Sequence, residues 1–344
     1  MMCHFWTNLW LPVHSKRPIY CGSRGYRDMW EELRHGSRCY VRRHVGSAAA
    51  EGSWEAVKEV YQVAAVAGTL LSCIWRTRSS TAPKRFFLYL HGFPDQSLDH
   101  RKEHPESYGQ LRPQLPRRLA EKFLSARPDS AFVAFNFSGT PGSEGLSFYQ
   151  KTVSQEVQDS LCMIEYLRSI NDVPVHVVGI STGAIIATLL FGSACAVVRL
   201  REQQLPKVTL TAIAGLLDVE KGLHYDFDKE QLASFDSQGF CFKEFWLPPG
   251  SSSNPPDAVI AEVPEAAEEP WIKCAIPLSA AYREDFLTLN VARAAKTTGT
   301  PLLILHGDRD RSVPLETLGG SRCYGADAVG RNMQIEVVCC VVCL

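Results

Sequence analysis

Apolar and polar positions follow no rule through the first fifty residues and become regular afterwards. Residues 1–50 contain Trp, Cys, Arg and His without a sustained period of two or 3.6, which predicts an extension outside the core. From Trp54 onward, apolar runs at 57–66 and 69–76 read as two strands around a Gly68-Thr69 turn, and 85–90 as a third that ends at His91-Gly92-Phe93-Pro94. Leu115, Leu119 and Phe123 share one face of a predicted helix that runs to Ala126. A strand over 131–137 breaks at the Gly- and Ser-rich stretch 138–145. Thr152 and Gln155 have the spacing of a capping box, and the helix they introduce carries Val153, Val157, Leu161, Ile164 and Leu167 as its core stripe.

The rhythm continues with an apolar strand at 175–180 that runs straight into an apolar helix, then a buried strand over 207–217. Between Asp218 and Thr300 it is interrupted. The segment 247–256 is rich in Pro, Gly and Ser, the acidic segment 257–269 follows it, and helical pieces are expected on either side. Strands return at 301–305 and 333–338, with a short helix expected between them. Strands alternating with helices of this length predict an α/β fold, a mainly parallel sheet with helices on both faces. An insertion at about 219–295 interrupts the alternation where strand ends open into a site, and is read as a lid. The expected organisation is an extension, 1–50, and one domain, 51–344, with its lid; that domain reads as incomplete at its C-terminal side.

Composition narrows the class of function. With 45% hydrophobic and 21% charged residues, the 344-residue chain can bury a large core, and a net charge of −1 argues against nucleic acid as its main partner. Charge is uneven all the same: residues 1–47 are basic and 257–269 acidic. No run reaches the roughly 18 apolar residues of a membrane span, so no integral membrane segment is expected. The twelve cysteines are scattered without a spaced framework and read as mostly reduced. Cys340 and Cys343 form a CxxC with no second pair or nearby His, so no metal site and no cofactor are expected. A cytoplasmic location is the expectation, and a mitochondrial leader in the Arg-rich start is the alternative. Oligomeric state stays open.

The candidate chemistry centres on Gly179-Ile180-Ser181-Thr182-Gly183, set between strand and helix. A hydroxyl lifted on such a turn stands clear of the sheet, and the flanking glycines let the backbone turn without Cβ clashes. Ser181 is the candidate nucleophile. The amide of Thr182 opens a helix and can face a developing oxyanion.

Four segments together carry a family resemblance: His91-Gly92-Phe93-Pro94, the stretch 139–145, Gly179 to Gly183, and the run 306–314 that begins His306-Gly307-Asp308-Arg309-Asp310. In this order, on these strands, the chain from about Trp54 to Val338 resembles the α/β-hydrolase family, in particular its serine aminopeptidase, monoglyceride lipase and cinnamoyl esterase members. A weaker match, Leu278 to Asp285, is similar to the segment that leads from lid to core in the esterase branch. The resemblance implies Asp310 as the triad acid, with Asp308 and then Asp218 as alternatives, and an oxyanion hole built from the amides of Phe93 and Thr182. It also implies a small-molecule or lipid-like acyl substrate.

One feature departs from the family. Its base is a histidine after the last core strand, and no histidine follows His306 here. His91 and His306 each precede a glycine in a loop with a structural role of its own, and His176 reads as a core residue. Two functions remain open. One is a serine hydrolase of carboxylic esters, thioesters or amides, weak or inactive in this form, whether through loss of the base or an early end to the sequence. The other is a non-catalytic binding or scaffold protein on the same fold.

Overall fold

β-branched and aromatic residues are frequent in the central strands, as in FFLYL, AFVAF and VHVVGI. In this computed structural model the described residues are 42–49, 56–77, 82–94, 114–140, 142–192, 208–247, 259–260, 272–297, 300–307, 310, 313–314 and 333–335. All belong to the unit Cys39–Leu344. Among them one large sheet has the order β1-β2-β3-β5-β4-β6-β7-β11-β12. Its members are β1 (Arg42–Ala49), β2 (Ala56–Ala65), β3 (Gly68–Thr77), β4 (Phe86–Leu90), β5 (Ala131–Phe135), β6 (Val175–Ile180), β7 (Val208–Ile213), β11 (Leu302–Leu305) and β12 (Met333–Ile335). The first three strands pair antiparallel and β3 lies antiparallel to β5; the pairs from β5 through β12 are parallel. The order reverses around β4, which carries His91-Gly92 at its carboxyl end, and parallel sheets place ligands at such ends.

Helices cover both faces. α1 (Gln114–Ala126) buries Ala120 and Leu124 against Leu71, Cys73, Trp75, Tyr89, Phe132 and Ala134, and Val60 of β2 joins that cluster. The next residue, Tyr61, instead meets Tyr166 of α2 (Val153–Ile170), with ring centroids 6.5 Å apart. Successive strand residues point to opposite faces, so α1 and α2 lie on opposite sides of the sheet. All five residues of the expected α2 stripe are buried. The expected capping box is only half made. Thr152 accepts from the Gln155 amide, but the Gln155 side chain turns away and donates to Asp159 at 2.9 Å, where a buried carboxylate is the stronger attraction. α3 (Thr182–Gly192) follows β6 and packs on β6, β7 and α7 (Val291–Thr297).

The sheet begins earlier than the hydrophobic pattern suggests. β1 lies within the stretch expected to be an extension, and pairs with β2 across a bulge between His44 and Gly46. An extra residue there breaks the period of two that would reveal the strand.

Between β7 and β11 the chain forms α4 (Val219–Asp226), α5 (Lys229–Gln238), β8 (Phe240–Leu247), β9 (Val259–Ile260), β10 (Ile272–Ser279), α6 (Ala280–Thr288) and then α7. The helical pieces expected on either side of the loop are present, and between them β8, β10 and β9 make a separate antiparallel sheet that was not expected. In β8, Phe242 is exposed while Cys241 and Lys243 are buried, so the apolar alternation reads inverted.

Candidate active site

The turn after β6 is built by backbone contact. Ser181 has φ +55°, a left-handed conformation rare for a residue with a side chain, and neighbouring Ala214 has φ +51°. Ser181 is half-buried, and its carbonyl accepts from the amides of Ala184 and Ile185, which starts α3. Thr182 is the first residue of that helix, so its amide is one of those a helix leaves without an intrahelical acceptor. A Cβ on Gly179 would stand 2.0 Å from the Gly183 carbonyl oxygen, and one on Gly183 would stand 2.2 Å from that of Leu90. Neither position admits any side chain.

The His91-Gly92 loop lies against this turn. A Cβ on Gly92 would fall 3.1 Å from the Ser181 Cβ and 3.6 Å from its Oγ. The backbone entering Phe93 therefore runs alongside the serine, and the Phe93-Pro94 bond is cis. Phe93 itself is buried among Phe148, Phe227 and Tyr282.

Asp310 sits in the turn after β11. Its amide donates to the Gly307 carbonyl at 3.3 Å, and its Oδ1 accepts from the Val313 amide at 2.9 Å. The ends of three neighbouring strands are level here. The Ser181 amide donates to Ile213 at the end of β7, and the Ala214 amide donates to Leu305 at the end of β11. With one strand between them, the ends that carry Ser181 and Asp310 lie two spacings apart, roughly 10 Å. Asp308 falls outside the described residues. Asp218 is engaged elsewhere, where it caps α4 by accepting from the Lys221 amide and pairs with the Lys221 ammonium at 3.0 Å. Burial works against its charge, but the bonds and charge of Lys221 prevail and hold its carboxyl below the usual range.

His91, His176 and His306 each make a hydrogen bond of their own, although the buried His306 Nδ1 has no partner among the described residues. The His91 Nδ1 bonds the Gly92 carbonyl at 2.8 Å and its Nε2 accepts from the Phe137 amide at 3.4 Å. Burial, with Lys151's charge adding to it, lowers the His91 pKa to about 3, so the ring is neutral. His306 donates from Nε2 to the Val313 carbonyl at 2.7 Å and pins the loop that bears Asp310. His176, half-buried rather than within the core, bonds Thr209 and stacks on Phe87 at 5.2 Å.

Reasoning from the sequence missed a polar seam around the first turns of α2, tied to α6 through Asp285. Lys151 pairs with Glu156 at 2.5 Å, with side chains 1% and 3% exposed, and donates to Thr140 at 3.2 Å. Asp159 accepts from the amide and hydroxyl of Ser138, and Asp285 from those of Ser154. Only the Leu278 to Asp285 similarity pointed here, and it gave a location without contacts.

Comparison with known proteins identifies the family and the fold. The sequence matches the model of the alpha/beta hydrolase family over residues 87–334, well over half of the chain, and the protein belongs to that family. Ferulic acid-bound Est1E from Butyrivibrio proteoclasticus is similar in structure, with TM-score 0.50 at 15% identity over 80% of this chain and 88% of that one. The alpha/beta hydrolase GrgF from Penicillium sp. sh18 gives TM-score 0.51 at 12% identity over 82% and 89%. At such identities the likeness concerns the fold. No curated protein sequence matches.

Proposed function

We propose that this α/β hydrolase acts on carboxylic esters, thioesters or amides of small or lipid-like acyl groups through Ser181. Ser181 is the nucleophile, Asp310 the acid of the relay, and the amides of Phe93 and Thr182 the oxyanion hole. The observation that carries this reading is the left-handed Ser181 with the Gly92 backbone pressed against it. A serine set on a strained corner, beside a loop whose next amide is unhindered by a side chain at Gly92, is arranged for attack on a carbonyl carbon. The oxygen of that carbonyl would then fall between two backbone donors.

Turnover by this sequence is expected to be weak. A serine attacks poorly unless a base removes its proton, and His91, His176 and His306 all have other hydrogen bonds to keep. An oxyanion hole and binding without a complete relay still leave roughly 10³ to 10⁴ over water. The same engagement of the histidines supports the second reading, a binding or scaffold protein that keeps the turn without using it. The insertion is assigned as a lid over the acyl pocket. A fluorophosphonate probe separates the two readings: a covalent adduct at Ser181, lost in Ser181→Ala, is expected for the hydrolase, and a chain that takes up no probe contradicts it.

A further inference from the structure

The insertion returns to the core through α6, and one face of that helix carries the buried Tyr282 and, one turn on, the half-buried Asp285. Asp285 accepts from the Ser154 amide at 2.8 Å and from its hydroxyl at 2.5 Å. It thus places an acidic group at the first turn of α2, where helix amides lack acceptors. Tyr282, fully buried, lays its ring against Phe93 with centroids 4.6 Å apart and planes 25° from parallel. Phe148 and Phe227 hold the same ring from other elements, at 6.2 and 5.8 Å. The Tyr282 hydroxyl has no hydrogen-bond partner among the described residues, so this position uses its flat ring rather than its polar end.

The geometry points to α6 as the strut of the oxyanion loop: Asp285 fixes the helix to α2, and Tyr282, through Phe93, fixes the Phe93 amide toward Ser181. This rests on the roles given above to Ser181 and Phe93. Both residues of the strut are positioning residues, since neither touches the reacting atoms. A hydrogen-bond donor helps an oxyanion only when held to within about 0.5 Å of its place, and a loop beside a glycine does not hold itself. The insertion then does more than cover a pocket. It completes the machinery beneath it.

The test is the kinetics of fluorophosphonate labelling in the full chain, resolved into the maximal rate and the half-saturating probe concentration. Tyr282→Leu keeps apolar bulk and loses the flat face. It is expected to lower the maximal rate about tenfold, part of the 10²- to 10³-fold worth of one oxyanion donor. Its half-saturating concentration and final labelled fraction should match wild type. Tyr282→Phe restores the wild-type rate, and Asp285→Asn gives a smaller loss of the same kind. The strut is contradicted if Tyr282→Leu labels at the wild-type rate, if its loss lies only in the final labelled fraction, or if Tyr282→Phe is as slow as the leucine variant. A wild-type chain that never labels sinks the acyl-transfer reading and the strut with it. Wild-type labelling that ignores Tyr282 sinks the strut alone.

Discussion

The turn after β6 and the seam beneath α6 solve the same problem, holding a group still beside Ser181, by opposite means. At the turn, backbone meets backbone at distances that admit no side chain, both within the turn, where Gly179 faces Gly183, and across to the end of β4, where Gly183 faces Leu90. At the seam, side chains from segments more than a hundred residues apart interlock, as Asp285 does with Ser154, and buried charges replace tight backbone packing. The turn is therefore intolerant of added volume, whereas the seam is intolerant of lost partners.

Substitutions can break this contrast from either side. Gly183→Ala should have the largest effect, since a methyl 2.2 Å from the Leu90 carbonyl oxygen cannot be relieved by a rotamer change. A loss of about 4 kcal/mol or more is expected in urea denaturation. Lys151→Met leaves Glu156 buried without its cation and should cost about 3 kcal/mol, the low end for a broken buried pair. Burial already favours the protonated Glu156, with Lys151 opposing it, so the carboxyl can neutralise itself in the variant. A Lys151→Met, Glu156→Leu double variant should recover most of that loss.

His91 joins the two regions, since it lies next to Gly92 and feels Lys151. Its pKa is about 3 in the fold and ordinarily 6.5, so the unfolded chain takes up a proton that the folded one refuses. The stability this provides is complete above pH 6.5 and is lost as pH falls from there toward 3. At pH 4.5 the loss is about 2–3 kcal/mol, and the slope of stability against pH over this window should flatten in His91→Gln. The smallest effect is expected at Gly239, the left-handed cap of α5 with φ +77° and nothing within 4 Å of a Cβ. Gly239→Ala should cost about 1 kcal/mol by thermal unfolding, through backbone strain alone.

What the sequence disclosed follows from the same contrast. The parallel strands, the stripe of α2 and the Gly179 to Gly183 turn were readable because each is a local pattern of burial or backbone geometry. β1 was hidden by its bulge, and β8 by a lysine that points inward while a phenylalanine points out. Tyr282 and Asp285 were marked only by the Leu278 to Asp285 similarity, without contacts, because their partners, Phe93 and Ser154, are distant in the chain. The Ser181 corner could be found from one stretch of thirteen residues; the group that steadies its neighbour could not.

The central claim is that the Ser181 hydroxyl faces two backbone donors able to stabilise an oxyanion. Mass spectrometry of the intact chain after exposure to an activated aryl ester tests this most directly, because an acyl group transferred to the serine adds a defined mass that peptide mapping can place. The account predicts a single added acyl group, mapped to the peptide carrying Ser181 and absent from Ser181→Ala. An unmodified chain, or an acyl group found on a cysteine or lysine in both proteins alike, would contradict it.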